Sequence, residues 1–224
     1  MDITQNKELL ELLSEKIQKP LENLYNDVSG TFATIANNLF NNFCIKCGND
    51  VYYFAEIEFY YYDSKKYLQD KDLYKWQKVT YVRNNKNVGD FLYHLSGIDI
   101  CFTSSFNNDC AIFGGILIRS IKDKDGKVVA AGPYTCRDFI LNKCTEGDQT
   151  MPTLSVLKPQ TEINPKPFGR NLGEIDMENK LDNTLELCFY DCNLDWKNTS
   201  EKEDYDKEKG KTKPYLKNYF NRFQ

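Results

Sequence analysis

One histidine serves the whole 224-residue chain, and none of the short motifs that mark the common catalytic centres is present. There is no glycine-rich phosphate loop, no P-loop, no serine elbow and no HExxH pair. Phosphoryl transfer on a P-loop, hydrolysis from a serine elbow and zincin chemistry are therefore not indicated. No apolar run reaches the length of a membrane span. The opening MDITQNKELLELL is charged and amphipathic, unlike a secretory leader. The expectation is a cytoplasmic chain with no membrane partner, whose thiols stay reduced. An excess of positive charge is missing too: 33 Asp and Glu outnumber 29 Lys and Arg, for a net charge of −4 and a pI of about 5.2. Duplex binding usually rests on Lys and Arg that neutralise phosphates, so the average charge argues against it unless a local patch overrides the average. Internal repeats are absent, as is low complexity outside the charged C-terminal tail.

Aromatic residues are plentiful, with 15 Tyr and 14 Phe, which favours a sheet-containing fold over a helical bundle. The length suits one domain able to bury a core without covalent staples. Eight cysteines invite a disulfide or zinc reading, the closest pairs being Cys44-x-x-Cys47 and Cys188-x-x-x-Cys192. The first lies in FCIKCGND, a strand entering a turn, where the two side chains point to opposite faces and make a poor start for a zinc knuckle. Buried thiols are the plainer expectation. The sequon at Asn198-Thr199-Ser200 carries no weight without secretion.

Leu9, Leu10, Leu13, Ile17, Leu21, Leu24 and Val28 recur at helical spacing, interrupted at Pro20. A second helix is predicted over residues 31–43, with Phe32, Ile35, Ala36 and Leu39 as its apolar stripe. FCIKCGNDVYYFAEIEFYYY reads as two strands around Gly48-Asn49-Asp50. Residues 64–89 form the one clearly basic stretch (Lys65, Lys66, Lys71, Lys75, Lys78, Arg83, Lys86), read as solvated surface. DFLYHLSGIDICF reads as a hairpin turning at Ser96-Gly97, which pairs Leu95 with Ile98 and His94 with Asp99. FGGILIRSI is a β-branched run carrying Arg119. VVAAGPYTCRDFILNK predicts a loop at Gly132-Pro133 before a helix. Residues 149–173 read as irregular. LDNTLELCFYDCN is a late strand in which Leu187, Phe189 and Asp191 alternate with Cys188, Tyr190 and Cys192. Residues 195–213 read as a charged link, followed by a short aromatic piece, YLKNYFNRF.

Three groups could carry chemistry. In YYFAEIEFYYYD, a period of two puts Phe54, Glu56, Glu58 and Tyr60 on one face and Tyr53, Ala55, Ile57, Phe59 and Tyr61 on the other. A carboxylate in apolar surroundings can serve as a general base near neutral pH; two glutamates solvated at a sheet edge would do nothing. Arg119 in ILIRSI needs a partner if buried, and Glu58 is the obvious one, though an edge arginine facing water fits as well. His94 opposite Asp99 could be an oriented imidazole or a plain surface residue.

In order, these pieces resemble the alkyladenine (methylpurine, 3-methyladenine) DNA glycosylase family. That family has a V-E-T-E-A-Y strand, a β-hairpin, a V-L-L-R-A strand, an N-G-P-G-x-L-C turn before a helix and a late G-x-R-x-G segment. Here AEIEFY, FLYHLSGIDICF, GILIRSI, AGPYTCRDF and FGRNLGEI follow in the same order and similar spacing, over about residues 31–192. The resemblance implies a mixed α+β (α/β) single domain with a curved, mainly antiparallel β-sheet flanked by helices. It would occupy residues 1–194, N-terminal helices included, with 195–224 as linker and terminal segment. It also implies hydrolysis of the N-glycosidic bond of a damaged or alkylated base, with damaged or single-stranded DNA as partner and no cofactor or metal. Glu58 would activate water, Arg119 would hold that water, Tyr60 would stack on the extruded base, and His94 would add a polar contact. Glu56 is expected to help at the edge or do nothing. The chain departs from the family at three places. Ser96, before Gly97 at the hairpin tip, stands where the family wedges an aromatic residue into the minor groove. Gln69 stands near the family's histidine, and Thr103 near its asparagine. A glycosylase-derived nucleic-acid or nucleotide binding protein without activity is the alternative.

Overall fold

The computed structural model describes residues 3–65, 80–83, 86–107, 110–146, 151–168 and 187–194. Helix α1 (Ile3–Leu13) runs into a π turn over Ser14–Gln18 and a 3-10 segment over Lys19–Asn23. Pro20 lies in the first turn of that 3-10 piece, where a residue without an N–H disrupts the α-helical ladder. Helix α2 (Val28–Asn42) starts at Asp27, whose carboxylate accepts from the Gly30 N–H at 2.9 Å and so satisfies one orphan donor. Its buried stripe is Phe32, Ile35, Ala36, Leu39 and Phe40.

The chain then enters an antiparallel sheet directly at β1 (Phe43–Cys47). The remaining strands are β2 (Asp50–Asp63), β3 (Phe91–His94), β4 (Gly97–Asn107), β5 (Cys110–Lys122), β6 (Val128–Ala131), β7 (Thr153–Val156), β8 (Lys166–Phe168) and β9 (Cys188–Tyr190), with helix α3 (Pro133–Glu146) between β6 and β7. The main order is β3-β4-β5-β2-β1-β7, with β6 on β5 and the β8–β9 pair joined to β2. Every pairing among the described residues is antiparallel. The long β2 pairs with β1 at its start and with β5 and β9 farther on, and the sheet curls into a half-barrel. A mixed α+β fold around one curved antiparallel sheet is thus present.

One face of the sheet packs on α2. Phe32 stacks on Phe59 at 4.6 Å, and Phe102 and Phe189 meet Phe59 edge-on at 5.9 and 5.7 Å. Ile57, Ile100, Ile116 and Ile118 complete this layer. Each such side chain contributes about 1.5–3 kcal/mol on burial.

Two sequence expectations fail at β2 and beyond it. Strict alternation puts Phe54 with Glu56 and Glu58, yet Phe54 lies in the core against Phe40. Phe54 faces Ile121 and Ile57 faces Ile118, while between them Glu56 faces Ser120. Ala55 is therefore one residue too many on β2 and Arg119 one too many on β5, and the two bulges cancel. A bulge turns neighbouring side chains to new faces, which period-two reasoning cannot anticipate. Residues 149–173 are not wholly irregular either: β7 pairs with β1 and β8 with β9. Among the described residues, the late strand covers Cys188–Tyr190. Most of the basic stretch (66–79), Gln69 and the tail 195–224 lie outside the described residues.

Candidate functional site

The face of the sheet away from α2 carries the charged groups. Directly opposed residues of antiparallel strands project to the same side, and Asp99 on β4 opposes Leu117 on β5, which opposes Glu58 on β2, which opposes Cys188 on β9. The next row is Cys101, Gly115 and Tyr60. Neighbouring strands lie about 4.8 Å apart, so the Asp99 and Glu58 backbones sit roughly 10 Å from each other across Leu117.

Arg119, placed by its bulge, joins the Glu58 end of this row. Its Nη1 donates to Glu58 Oε2 at 2.5 Å and its Nε to Glu56 Oε1 at 2.8 Å. Ser120 Oγ donates to Glu56 Oε2 at 3.2 Å. Glu56 and Glu58 are 0% and 1% exposed, so neither is solvated at a sheet edge. Burial works against the Arg119 charge, but the Glu56 and Glu58 carboxylates outweigh it and hold the guanidinium well above its ordinary pKa. The Arg119 carbonyl accepts from the Gly132 N–H at 2.7 Å, which ties this residue to the β6–α3 junction. The Glu58 and Arg119 side chains thus share one buried site, and Glu56 is an integral member of it. Tyr60 is half-buried, one pleat along from Glu58 on the same face.

A second cluster occupies the Asp99 end. Arg83 Nη2 donates to Asp99 Oδ2, and Asp99 Oδ1 lies 3.1 Å from His94 Nε2. The other ring nitrogen, Nδ1, accepts from the Ser96 N–H at 3.2 Å, so the proton sits on Nε2 and points at Asp99. The His94 ring lies 4.5 Å from that of Tyr81. Arg83 is fully buried and rests on the backbone of β5 at Gly115, where any Cβ would overlap the guanidinium. Its reading as a solvated cation is corrected: Asp99, a carboxylate inside the apolar run GIDICF, needs a cation, and that was the one signal pointing to it.

The hairpin differs from its sequence reading by one register step. His94 opposes Gly97 and Leu92 opposes Asp99, so the tip is Leu95-Ser96 rather than Ser96-Gly97, and His94 reaches Asp99 diagonally. Gly97 has φ +154°, and a Cβ there would stand 2.8 Å from Leu117 Cδ1 and 3.1 Å from Pro133 Cβ. The side chain that projects from the tip is Leu95, 81% exposed, and its carbonyl is held by Arg137 Nη1 at 2.5 Å. Thr103 opposes Gly114 beyond a bulge at Phe102, and the structure does not bring it to Glu58 and Arg119. Cys44 and Cys47 are both buried.

Chemically, Glu56 and Glu58 place two carboxyl groups around one guanidinium. Such a site can take a proton from water and offset positive charge developing nearby. No family model matches the chain, and no curated protein or solved structure shows a similarity that would establish a relationship. No helix among the described residues is long and apolar enough to cross a membrane.

Proposed function

We propose that the chain is a DNA glycosylase-like hydrolase, a divergent relative of the alkyladenine glycosylases, that cleaves the N-glycosidic bond of a damaged or alkylated base. The observation that carries this reading is the 2.5 Å contact between Glu58 and Arg119 in a buried site. Glu58 takes a proton from water, the water oxygen bonds to the anomeric carbon, and the glycosidic electron pair leaves with the base. The transition state resembles an oxocarbenium ion, and the carboxylates beside it offset its developing charge. Half-buried Tyr60 offers a ring for the base once it has left the stack. Leu95 supports duplex engagement: a leucine projecting from a hairpin tip can wedge between base steps, which Ser96 cannot do.

The departures from the family pattern at Ser96, Gln69 and Thr103 favour a second reading, a glycosylase-derived nucleic-acid or nucleotide binding protein without activity. Release of an alkylated base from duplex and single-stranded oligonucleotides, measured beside salt-titrated binding to the same oligonucleotides, separates the two. Base release supports the hydrolase. Salt-dependent binding with no release supports the binding protein.

A further inference from the structure

We infer that Glu56 is a positioning residue for the proposed hydrolysis: with Ser120 it fixes the Arg119 guanidinium, and through it the Glu58 carboxylate. The inference rests on the proposed hydrolase reading and deepens it. Arg119 already has Glu58 as counter-ion, and one buried carboxylate suffices to neutralise one guanidinium. A second buried carboxylate, two residues from the first, adds desolvation cost and like-charge repulsion. Neutralising Arg119 is therefore not by itself the reason for Glu56.

Geometry supplies the reason. The compensating bulges at Ala55 and Arg119 set Glu56 opposite Ser120, so each of its oxygens has its own donor: Arg119 Nε at 2.8 Å and Ser120 Oγ at 3.2 Å. Arg119 is then gripped at Nε by one carboxylate and at Nη1 by another. A planar fork held at two nitrogens cannot turn about its stem. Glu58 Oε2, bonded to that fixed fork, is aimed in turn. Reacting groups need such placement, because a misplacement of about 1 Å costs on the order of 100-fold in rate.

The test uses Glu56→Ala, Glu56→Gln and Ser120→Ala in the full chain, with an alkylated oligonucleotide as probe. Glu56→Ala is expected to lower the single-turnover release rate about 100-fold while KM stays within about twofold. Glu56→Gln keeps an acceptor for the Arg119 Nε–H and is expected to lose about 10-fold. Added guanidinium ion is expected to restore part of the activity of Arg119→Ala, and none of it in Arg119→Ala/Glu56→Ala. The Nε–H resonance of Arg119 reads the grip without needing turnover: slow solvent exchange in the wild type, at least about 10-fold faster in Glu56→Ala. If Glu56→Ala does not fold, Ser120→Ala, which removes one hydroxyl, is expected to show the same two changes at about threefold. Wild-type release rates in Glu56→Ala or Ser120→Ala, or unchanged Arg119 Nε–H exchange in both, overturn the inference. A wild-type protein that releases no base from any probe overturns the hydrolase reading instead, and the exchange measurement still decides whether Glu56 grips Arg119.

Discussion

Arg119 is the residue on which the charged face turns, because two buried carboxylates depend on it. Removing one member of a buried ion group leaves the others uncompensated, at about 3–5 kcal/mol. Arg119→Met is therefore expected to destabilise the fold by about that amount in urea unfolding. Converting the whole group, as Arg119→Met/Glu56→Gln/Glu58→Gln, is expected to recover most of the loss, since no buried charge then remains alone. A different test concerns the thiols. Burial pushes Cys101 up to about 11 against the opposing pull of Arg83, and Cys44 up to about 11 against Lys46. An unfolded thiol titrates near about 8.5. Because the folded pKa values lie above the unfolded one, the stability linked to these thiols is complete below about pH 8.5 and lost as pH rises through about 11. Urea midpoints are expected to hold up to pH 8 and fall by pH 10.5, and replacing Cys101 with Ala is expected to remove part of that fall.

At the scale of elements, the β3–β4 hairpin is braced from three sides: His94 on Asp99, Arg137 on the Leu95 carbonyl, and the bare Gly97 backbone against Leu117 and Pro133. Gly97→Ala meets both a positive φ and two close contacts, and is expected to cost about 1–3 kcal/mol in thermal or urea unfolding. Leu95→Ala touches none of these braces. It is expected to leave stability unchanged, to lower base release from duplex by at least about tenfold and to spare single-stranded substrate, because only a duplex needs its stack filled. Equal activity on both substrates would show that Leu95 is no wedge. The elements themselves are well marked in the sequence where local chemistry is strong: the Gly48 turn and the Gly132-Pro133 start of α3. The hairpin register departs from the sequence expectation because Ser-Gly resembles a two-residue turn, whereas Gly97 is selected by crowding against Leu117 and Pro133, far away in sequence. The bulges at Ala55 and Arg119 leave no local mark at all, and they decide that Phe54 joins the core while Glu56 joins the site.

For the whole molecule, the sheet divides the labour between its faces. The aromatic layer against α2 holds the fold, so Phe59→Ala is expected to cost about 3–5 kcal/mol. The partnership of Glu58 and Arg119 could be anticipated from two apolar strands that each carried one charge. The partnership of Arg83 and Asp99 could not, since Arg83 sits among lysines in a basic stretch and only tertiary packing buries it. The most direct measurement is single-turnover release of an alkylated base by the wild type and by Glu58→Gln, with binding of the same oligonucleotide and unfolding followed in parallel. The account predicts that Glu58→Gln folds and binds as the wild type does and releases base at least about 100-fold more slowly. Release by Glu58→Gln at the wild-type rate would contradict it.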